Sequence, residues 1–471
     1  MGMRIYCLTF PIADVMSIPL HILILAAGDG TRMKSRLPKV LHTVGGRPML
    51  VHVHETALGL EPQRIHVVFN PATDEVRNVL SGDDVEWVPQ HQRQGTGHAV
   101  LQALPGIPDE ATVLVLYGDL PLIRVQLLAG LISAPAADLK VLTMKLADPT
   151  GYGRIIRNAG GAISGIVEEK EASAEQRNVT EVNTGILLAG AGNLKRWLAD
   201  INSENKQGEY YLTDVFARAS GEGASIGSVE ASDSRDLLGA NDPLQLVELE
   251  NHYRRRHAEQ LMRAGVRIAD PRRIELRGNI KTGTDVCIDI NVVLEGEITL
   301  GDGVQIGPGC VLRDCTLAAG TRVRPYSVLE GVRTHGACDI GPFARIRPGT
   351  ELAEGTRVGN FVEIKNSSLG AGTKASHLSY LGDSTIGKGV NIGAGTITCN
   401  YDGANKHRTV IEDGVFIGSN TQLVAPVTVG KDADIGAGST ITEDAPAGKL
   451  TLSRAKQVTV ANWKRPKKGK D

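Results

Sequence analysis

"IDINVVLEGEITLGDGVQIGPGCVL", residues 288–312, puts an aliphatic side chain at every sixth position: Ile288, Leu294, Leu300, Ile306 and Leu312. A beat of six matches neither a heptad nor simple strand alternation. It matches a parallel β-helix with one flat side per hexad, in which the aliphatic side chain fills the lumen and glycine or a small residue turns the corner. The beat slips and returns at Ile340, Ile346, Leu352, Val358 and Ile364, then at Ile411, Ile417, Leu423, Val429, Ile435 and Ile441. Glycine often follows the aliphatic, as in "IGPG", "IGPF", "LGAG", "IGAG" and "IGSN". The repeat predicts a fold for the second half of the chain and says little about its chemistry.

Outside the repeat the chain reads differently. Its 471 residues exceed what one core holds, so two or three domains are expected. Lys and Arg total 51 against 53 Asp and Glu, a formal net charge of −2, and this balance gives no general argument for nucleic acid or membrane partners. No apolar run approaches the ~20 residues of a membrane-spanning helix. The six cysteines, Cys7, Cys287, Cys310, Cys315, Cys338 and Cys399, lack zinc-site spacing and fit free, mostly buried thiols in a reducing cytoplasm. Residues 1–17 read as a dispensable extension with Met16 as an alternative start, because Pro11 and Asp14 break the apolar stretch a signal peptide needs.

Between residues 21 and 241 strand and helix signals alternate. Ile22–Ala27, Arg64–Phe69 and Thr112–Tyr117 are short apolar runs of the kind buried on both faces of a sheet. Met49–Leu58 and Gly97–Leu104 read as helices, and the alternation predicts a doubly wound α/β domain. Ligands of such sheets bind beyond the carboxyl ends of the strands, where the loop after Ala27 and the "GDLP" after Tyr117 both fall. Asp242 and Pro243 read as the N-cap and first residue of a connecting helix. Leu246, Leu249, Tyr253 and Leu261 share one face of it, and Arg254, Arg255 and Arg256 read as a solvated face. The expected division is residues 1–243, a linker helix 244–264, and a β-helix domain 265–471 ending in the basic tail Lys464–Lys470, itself read as solvated.

In "LILAAGDGTRM", residues 23–33, Gly28 and Gly30 let the backbone approach a phosphate, and Arg32 and Lys39 supply charge against a triphosphate. Asp119 sits at a strand end, where a carboxylate can take a hard cation such as Mg²⁺ or simply face solvent. His52 and His54, two apart on a helix, do not share a face and make no metal pair. In the second half the hexads are interrupted by "SHLSYLGD" and "NYDGANKHRT", and interruptions place polar groups beside the wall. His377 is the candidate general base there.

The motifs "LAAGDGTRMKSRLPKVL", "QGTGHAV", "YGDLPL", "DPTGYGRI", "GIVEEK", "EVNTGI" and "GEYYLTD" resemble, in order and spacing, the sugar-phosphate nucleotidyltransferases. With the second half, the chain from about residue 18 onward is similar to the bifunctional bacterial N-acetylglucosamine-1-phosphate uridylyltransferase/glucosamine-1-phosphate N-acetyltransferase family. The resemblance implies a Rossmann-like nucleotidyltransferase domain, a connecting helix and a left-handed β-helix. Leu25, Ala26, Ala27 and Gly28 would form the uridine-nucleotide loop, Gln90, Gly95 and Thr96 would recognise uracil, and Arg32 and Lys39 would hold phosphates. Tyr117 and Gly118 would line the same site, Asp119 and Asn241 would ligate Mg²⁺, and Gly153, Glu168 and Asn183 would hold the N-acetylglucosamine part. Asp29 stands where the family can carry a basic residue, and no role is assigned to it.

For the β-helix, the resemblance implies that His377 deprotonates the amine of glucosamine 1-phosphate as it attacks acetyl-CoA. Arg347, Lys365, Tyr380 and Asn391 would bind the sugar phosphate, and Ala394, Asn400, Tyr401, Ser419, Ala437 and Arg454 the acetyl-CoA. A cytoplasmic homotrimer making a precursor of peptidoglycan and lipopolysaccharide is implied, with Mg²⁺ as cofactor and acetyl-CoA and UTP as co-substrates. Two other readings use the same folds. One is a single-activity nucleotidyltransferase whose β-helix only assembles the oligomer; the other is a regulatory protein without catalysis. A scaffold has no need of "HLSYLGD" and "NYDG", and Asp119, Asn241 and His377 argue against an inert protein.

Overall fold

The computed structural model describes residues 18–28, 30–80, 82, 84–466 and 468; the expected extension 1–17, its Met16, Cys7 and Asp29 lie outside them. The chain divides into two compact units, parting between Tyr253 and Arg254.

The first unit is built on a nine-stranded sheet. Its strands are β1 (Leu20–Leu25), β2 (Arg64–Phe69), β3 (Val85–Pro89), β4 (Thr112–Tyr117), β5 (Leu139–Lys145), β6 (Arg154–Arg157), β7 (Ile163–Val167), β8 (Glu181–Gly190) and β9 (Ile226–Glu230). The main path runs β9-β5-β8-β4-β1-β2-β3, and β6 and β7 form a hairpin joined to β8. All six residues of β1 are buried, as its unbroken apolar run requires. The chain leaves β1 toward β2 and β3 on one side, then returns to pair β4 on the other. The carboxyl ends of β1 and β4 therefore flank a topological switch point, where open α/β sheets place their ligands. The sheet is not wholly parallel: β8 runs antiparallel to both β4 and β5.

Two histidines interrupt the apolar pairing of β1 with β2. His21 Nδ1 lies 3.0 Å from His66 Nε2, with the rings stacked at 5.3 Å. Both are buried, and Glu86 approaches His66 Nδ1 at 3.3 Å. Burial pushes His66 down from its ordinary 6.5 to about 4; Glu86 opposes this, and His21 and Arg64 add to it. Burial lowers His21 as well. The folded unit thus refuses protons that the unfolded chain accepts. The stability contributed is full above pH 6.5 and falls as pH drops toward 4, by up to about 1.4 kcal/mol per pH unit for one group. Urea midpoints measured from pH 7 to 4.5 should fall across that window, and a His21→Phe/His66→Phe double variant should flatten the fall. An equally steep fall in the double variant would assign the acid sensitivity to other groups.

Among its described residues the second unit carries 26 short strands, each paired mainly with those one coil away. One lumen column reads Ile288, Ile306, Val323, Ile340, Val358, Ala375, Ile392, Ile417 and Ile435. Every member is buried. Successive coils therefore contain 18 or 17 residues. Where a coil has 17, the missing residue falls at one corner, between Leu312 and Leu317, Leu329 and Thr334, Ile364 and Leu369, and Leu381 and Ile386. That is the slippage of the hexad beat. The long step from Ile392 to Ile417 contains the loop "NYDGANKHR". Thr398 replaces a lumen aliphatic; its Oγ1 accepts from Gly382 N at 2.7 Å and donates to Gly382 O at 3.1 Å, so the buried hydroxyl is satisfied.

The connecting helix spans Pro243–Arg263, and Gln245 N donates to Asp242 Oδ1 at 2.9 Å, the expected N-cap bond. Leu249 and Tyr253 are buried against Val44, Met49, Leu122 and Ala240. The arginine run is not one solvated face. Arg254 is half-buried and ion-paired to Glu275, whereas Arg255 is exposed and bonds Glu259 at 2.9 Å. Among the described cysteines, all free thiols, Cys310, Cys315 and Cys338 are buried and pushed up to about 11 by that burial. Among the described residues, no helix is long and apolar enough to cross a membrane.

Candidate active sites

At the switch point Leu25 pairs with Tyr117, and Gly118 N donates to Leu25 O at 3.0 Å. This register brings the loop Leu25–Gly28 beside Asp119. Ala26 and Ala27 are buried, whereas Gly28 is exposed and a Cβ there would meet nothing within 4 Å. Gly30 serves a different end. It is left-handed (φ +57°), and a Cβ there would stand 2.6 Å from Lys39 Cβ, so this glycine makes room for the lysine stem. Arg32 is exposed on the short turn Thr31–Met33.

Lys39 joins the two expected metal ligands: Nζ ion-pairs with Asp119 and donates to Asn241 Oδ1 at 2.7 Å. The lysine and aspartate side chains are only 15% and 17% exposed. Their oxygens come from segments 119 and 241 and converge on one cation, a donor set that suits a hard metal ion.

Around this centre the other expected residues gather in two groups. Gln90 is buried, and its Nε2 donates to Gly95 O at 3.3 Å and lies 3.0 Å from His98 Nδ1. Thr96 opens the helix Thr96–Ala103, and its hydroxyl accepts from Leu212 N at 3.1 Å. In the second group Asn183 N donates to Gly153 O at 2.8 Å, and a Cβ on Gly153 would lie 3.5 Å from Glu168 Oε2. Glu168 Oε1 accepts from Thr213 at 2.9 Å. Burial raises the Glu168 carboxyl; the Thr213 bond opposes this, and Asp214 and Glu209 add to it. Burial also raises the Tyr117 phenol, helped by Glu168 and Asp119 against a hydrogen bond with Thr96, which keeps it neutral. Thr213 had no role in the sequence reading, although it lies within "GEYYLTD". The histidines of the first helix are separately partnered: His52 Nε2 lies 2.7 Å from Val44 O, and His54 Nε2 lies 2.9 Å from Asp84.

On the β-helix, one coil stacks residues on those 17 earlier. His377 lies over Asn360, and its Nδ1 is 2.9 Å from the Asn360 amide oxygen. An amide oxygen accepts, so the ring proton sits on Nδ1 and Nε2 keeps a lone pair. Asp383 receives Asn366 Nδ2 at 2.6 Å from the coil before and Asn400 Nδ2 from the coil after. Burial opposes its ionisation, but these two bonds and the charges of Lys365 and Lys406 hold its carboxyl below the usual range. Lys406, from the interrupting loop, lies against Lys365, and that neighbouring ammonium lowers it. Gly382 clears the wall between them: a Cβ there would stand 2.4 Å from the Tyr380 hydroxyl and 2.9 Å from Asn400 Nδ2. Asn360, Asp383 and Lys406 escaped the sequence reading. The 17-residue coil would have found the first two, since each lies one coil from a residue already named.

The expected acetyl-transfer residues do not all meet in one chain. His377, Ala394, Ser419 and Ala437 lie along one corner; Asn420 N donates to Ala394 O and Gly438 N to Ser419 O in successive coils. Arg454 comes next, its Cδ 3.7 Å from where a Cβ on Gly438 would be. Arg347 and Lys365 lie at the next corner with Asn400 and the exposed Tyr401, whose hydroxyl donates to Gly403 O at 2.6 Å. Tyr380 lies on the face between, and Asn391 on the preceding face, paired with Lys374 and Phe416.

A family model for MobA-like NTP transferase domains matches residues 22–156, and one for the six-repeat bacterial transferase hexapeptide matches residues 408–443. The chain is 54% identical over 451 residues to the bifunctional protein GlmU of Alkalilimnicola ehrlichii, covering 96% of this chain and 97% of that one. It is 56% identical over 454 residues to the GlmU of Xanthomonas axonopodis pv. citri, covering 96% and 99%. For the GlmU of Marinobacter nauticus the identity is 53% over 451 residues, covering 96% and 99%. With a nucleotidyltransferase unit, a hexapeptide β-helix and this identity along nearly its whole length, the chain belongs to the bifunctional GlmU family.

Proposed function

We propose that the β-helix acetylates glucosamine 1-phosphate with acetyl-CoA and that the α/β unit then transfers the uridylyl group of UTP to the product, releasing pyrophosphate. The product, UDP-N-acetylglucosamine, supplies peptidoglycan and lipopolysaccharide synthesis in the cytoplasm. The observation that best supports this is the presence of both candidate sites in one chain that matches bifunctional relatives over 96% of its length. The domains are taken as 1–243 and 265–471, joined by a linker helix at 244–264.

In the uridylyl step the sugar-phosphate oxygen attacks the α-phosphorus. That oxygen is already a nucleophile, so positioning and charge neutralisation carry the catalysis. Leu25–Gly28 with Tyr117 and Gly118 seat the nucleotide, Gln90, Gly95 and Thr96 hold uracil, and Gly153, Glu168 and Asn183 hold the sugar. Arg32 and Lys39 face the phosphates. Asp119 and Asn241 hold Mg²⁺, which when bound stabilises charge on the phosphoryl oxygens.

In the acetyl step His377 Nε2 takes the proton of the attacking amine. Arg347, Lys365 and Lys406 bind the phosphate, with Tyr380 and Asn391 on the sugar. Ala394, Asn400, Tyr401, Ser419, Ala437 and Arg454 hold acetyl-CoA. Two observations favour a trimer with sites completed between chains. The expected residues of one site lie on two corners of one chain. Beside His377 runs an exposed apolar stripe, Tyr326, Phe343, Phe361 and Leu378, with ring centroids 5.4 and 5.5 Å apart. Incubation with glucosamine 1-phosphate, acetyl-CoA, UTP and Mg²⁺ should yield UDP-N-acetylglucosamine. Uridylyl transfer to N-acetylglucosamine 1-phosphate without any acetyl transfer would leave the β-helix as a scaffold.

A further inference from the structure

We propose that Lys39 stands in for the divalent cation of the nucleotidyl site: it holds Asp119 and Asn241 together in the metal-free protein, competes with a bare metal ion so that the ion binds weakly, and yields far more readily to a metal arriving with phosphates. The inference rests on the reading of Asp119 and Asn241 as metal ligands.

Lys39 Nζ reaches oxygens from two segments far apart in sequence, ion-pairing with Asp119 Oδ2 and donating to Asn241 Oδ1 at 2.7 Å. Its stem is backed by Gly30, where any side chain would collide with Lys39 Cβ. Gly239 leaves room beside the same carboxylate oxygen, since a Cβ there would lie 3.3 Å from Asp119 Oδ2. The ammonium is placed between the two oxygens by its bonds to both, with Gly30 leaving room for the stem.

A metal bound there needs oxygens at about 2.0–2.1 Å. With the same two oxygens around it, it would lie against the ammonium, and two cations in contact within a low-dielectric cleft repel strongly. The two occupants exclude each other. Charge decides which exchanges are allowed. A bare dication would leave the displaced ammonium unpaired beside it, with a single carboxylate to balance both. A metal–triphosphate complex carries its own negative oxygens, which accept the ammonium as the metal takes the carboxylate. No charge is left bare, and the lysine ends where phosphate neutralisation needs it.

The test uses the full-length protein without nucleotide. Mn²⁺ binding is followed by the loss of its free electron paramagnetic resonance signal in wild type, Lys39→Met and Asp119→Asn. In parallel, the rate at which an amine-reactive reagent labels Lys39 is measured by mass spectrometry with and without saturating Mn²⁺. Wild type should bind Mn²⁺ weakly, Lys39→Met at least about tenfold more tightly, and Asp119→Asn negligibly. Labelling of Lys39 should rise severalfold with Mn²⁺, and also in Asp119→Asn without any metal. Lys39→Met binding no more tightly, or Lys39 labelling unmoved by saturating Mn²⁺, overturns the stand-in role. The labelling arm matters because merely removing a nearby positive charge would strengthen metal binding without any displacement. Undiminished Mn²⁺ binding by Asp119→Asn would instead overturn the metal site itself.

Discussion

Asp119→Ala is expected to lower uridylyl transfer by about 10²- to 10³-fold, roughly 3–4 kcal/mol of transition-state stabilisation, and to leave acetyl transfer unchanged. The carboxylate stands two residues beyond the end of β4 and shares the Lys39 ammonium with Asn241. Its loss would leave Asn241, a neutral amide, to hold the metal alone, and would leave Lys39 without its anionic partner. No general base is invoked in this step, so the whole loss should appear as weaker charge neutralisation. Raising the Mg²⁺ concentration should then recover part of the rate, and pyrophosphate release measured across a Mg²⁺ series checks this. Acetyl transfer by the same preparation is an internal control for folding, since its proposed residues belong to the other unit. Equal loss of both activities in a folded variant would count against separate sites.

The β-helix was legible because its period comes from backbone geometry: each flat side buries an aliphatic residue at a fixed position, with a second buried residue two places before it, as Val286 before Ile288 and Cys310 before Leu312. The corners were less legible. A corner can lose one residue without disturbing the lumen, so the 17-residue coils looked like slippage. Thr398 hid a full hexad because its hydroxyl is satisfied by Gly382. In the first unit the runs at β1, β2 and β4 were plain. The antiparallel β8 between β4 and β5 was not, since an apolar run reveals burial and not its neighbours. Arg254 was read as solvated because helical spacing says nothing of Glu275, a residue beyond the helix. At the nucleotidyl site the motifs named Lys39, Asp119 and Asn241 separately. Their meeting depends on a contact across 202 positions, which no local pattern carries. Asn360 and Asp383 were within reach, one coil from His377 and Asn400.

His377→Ala should lower acetyl transfer by about 10²- to 10⁴-fold, the range of general-base contributions, while uridylyl transfer and oligomer mass stay unchanged. The exposed ring is oriented by a neutral amide, Asn360, so the base is held by direction and not by a counter-charge. Asn360→Ala should therefore reduce the rate less than loss of the ring, because Nε2 remains present but unaimed. The corner that bears His377 is not the corner that bears Arg347 and Lys365, and this makes the prediction depend on assembly. If neighbouring chains complete each site, His377→Ala mixed with a variant defective at Arg347 or Lys365, on the other corner, should regain acetyl transfer once subunits exchange. In a mixed seam one chain can supply the intact His377 corner and the other the intact Arg347 and Lys365 corner. Light scattering and an exchange assay with tagged chains establish that mixed oligomers have formed. A fully active monomer, or no recovery despite proven exchange, would place the whole site within one chain. The uridylyl step should be indifferent to the mixing, because its proposed ligands lie within a single α/β unit.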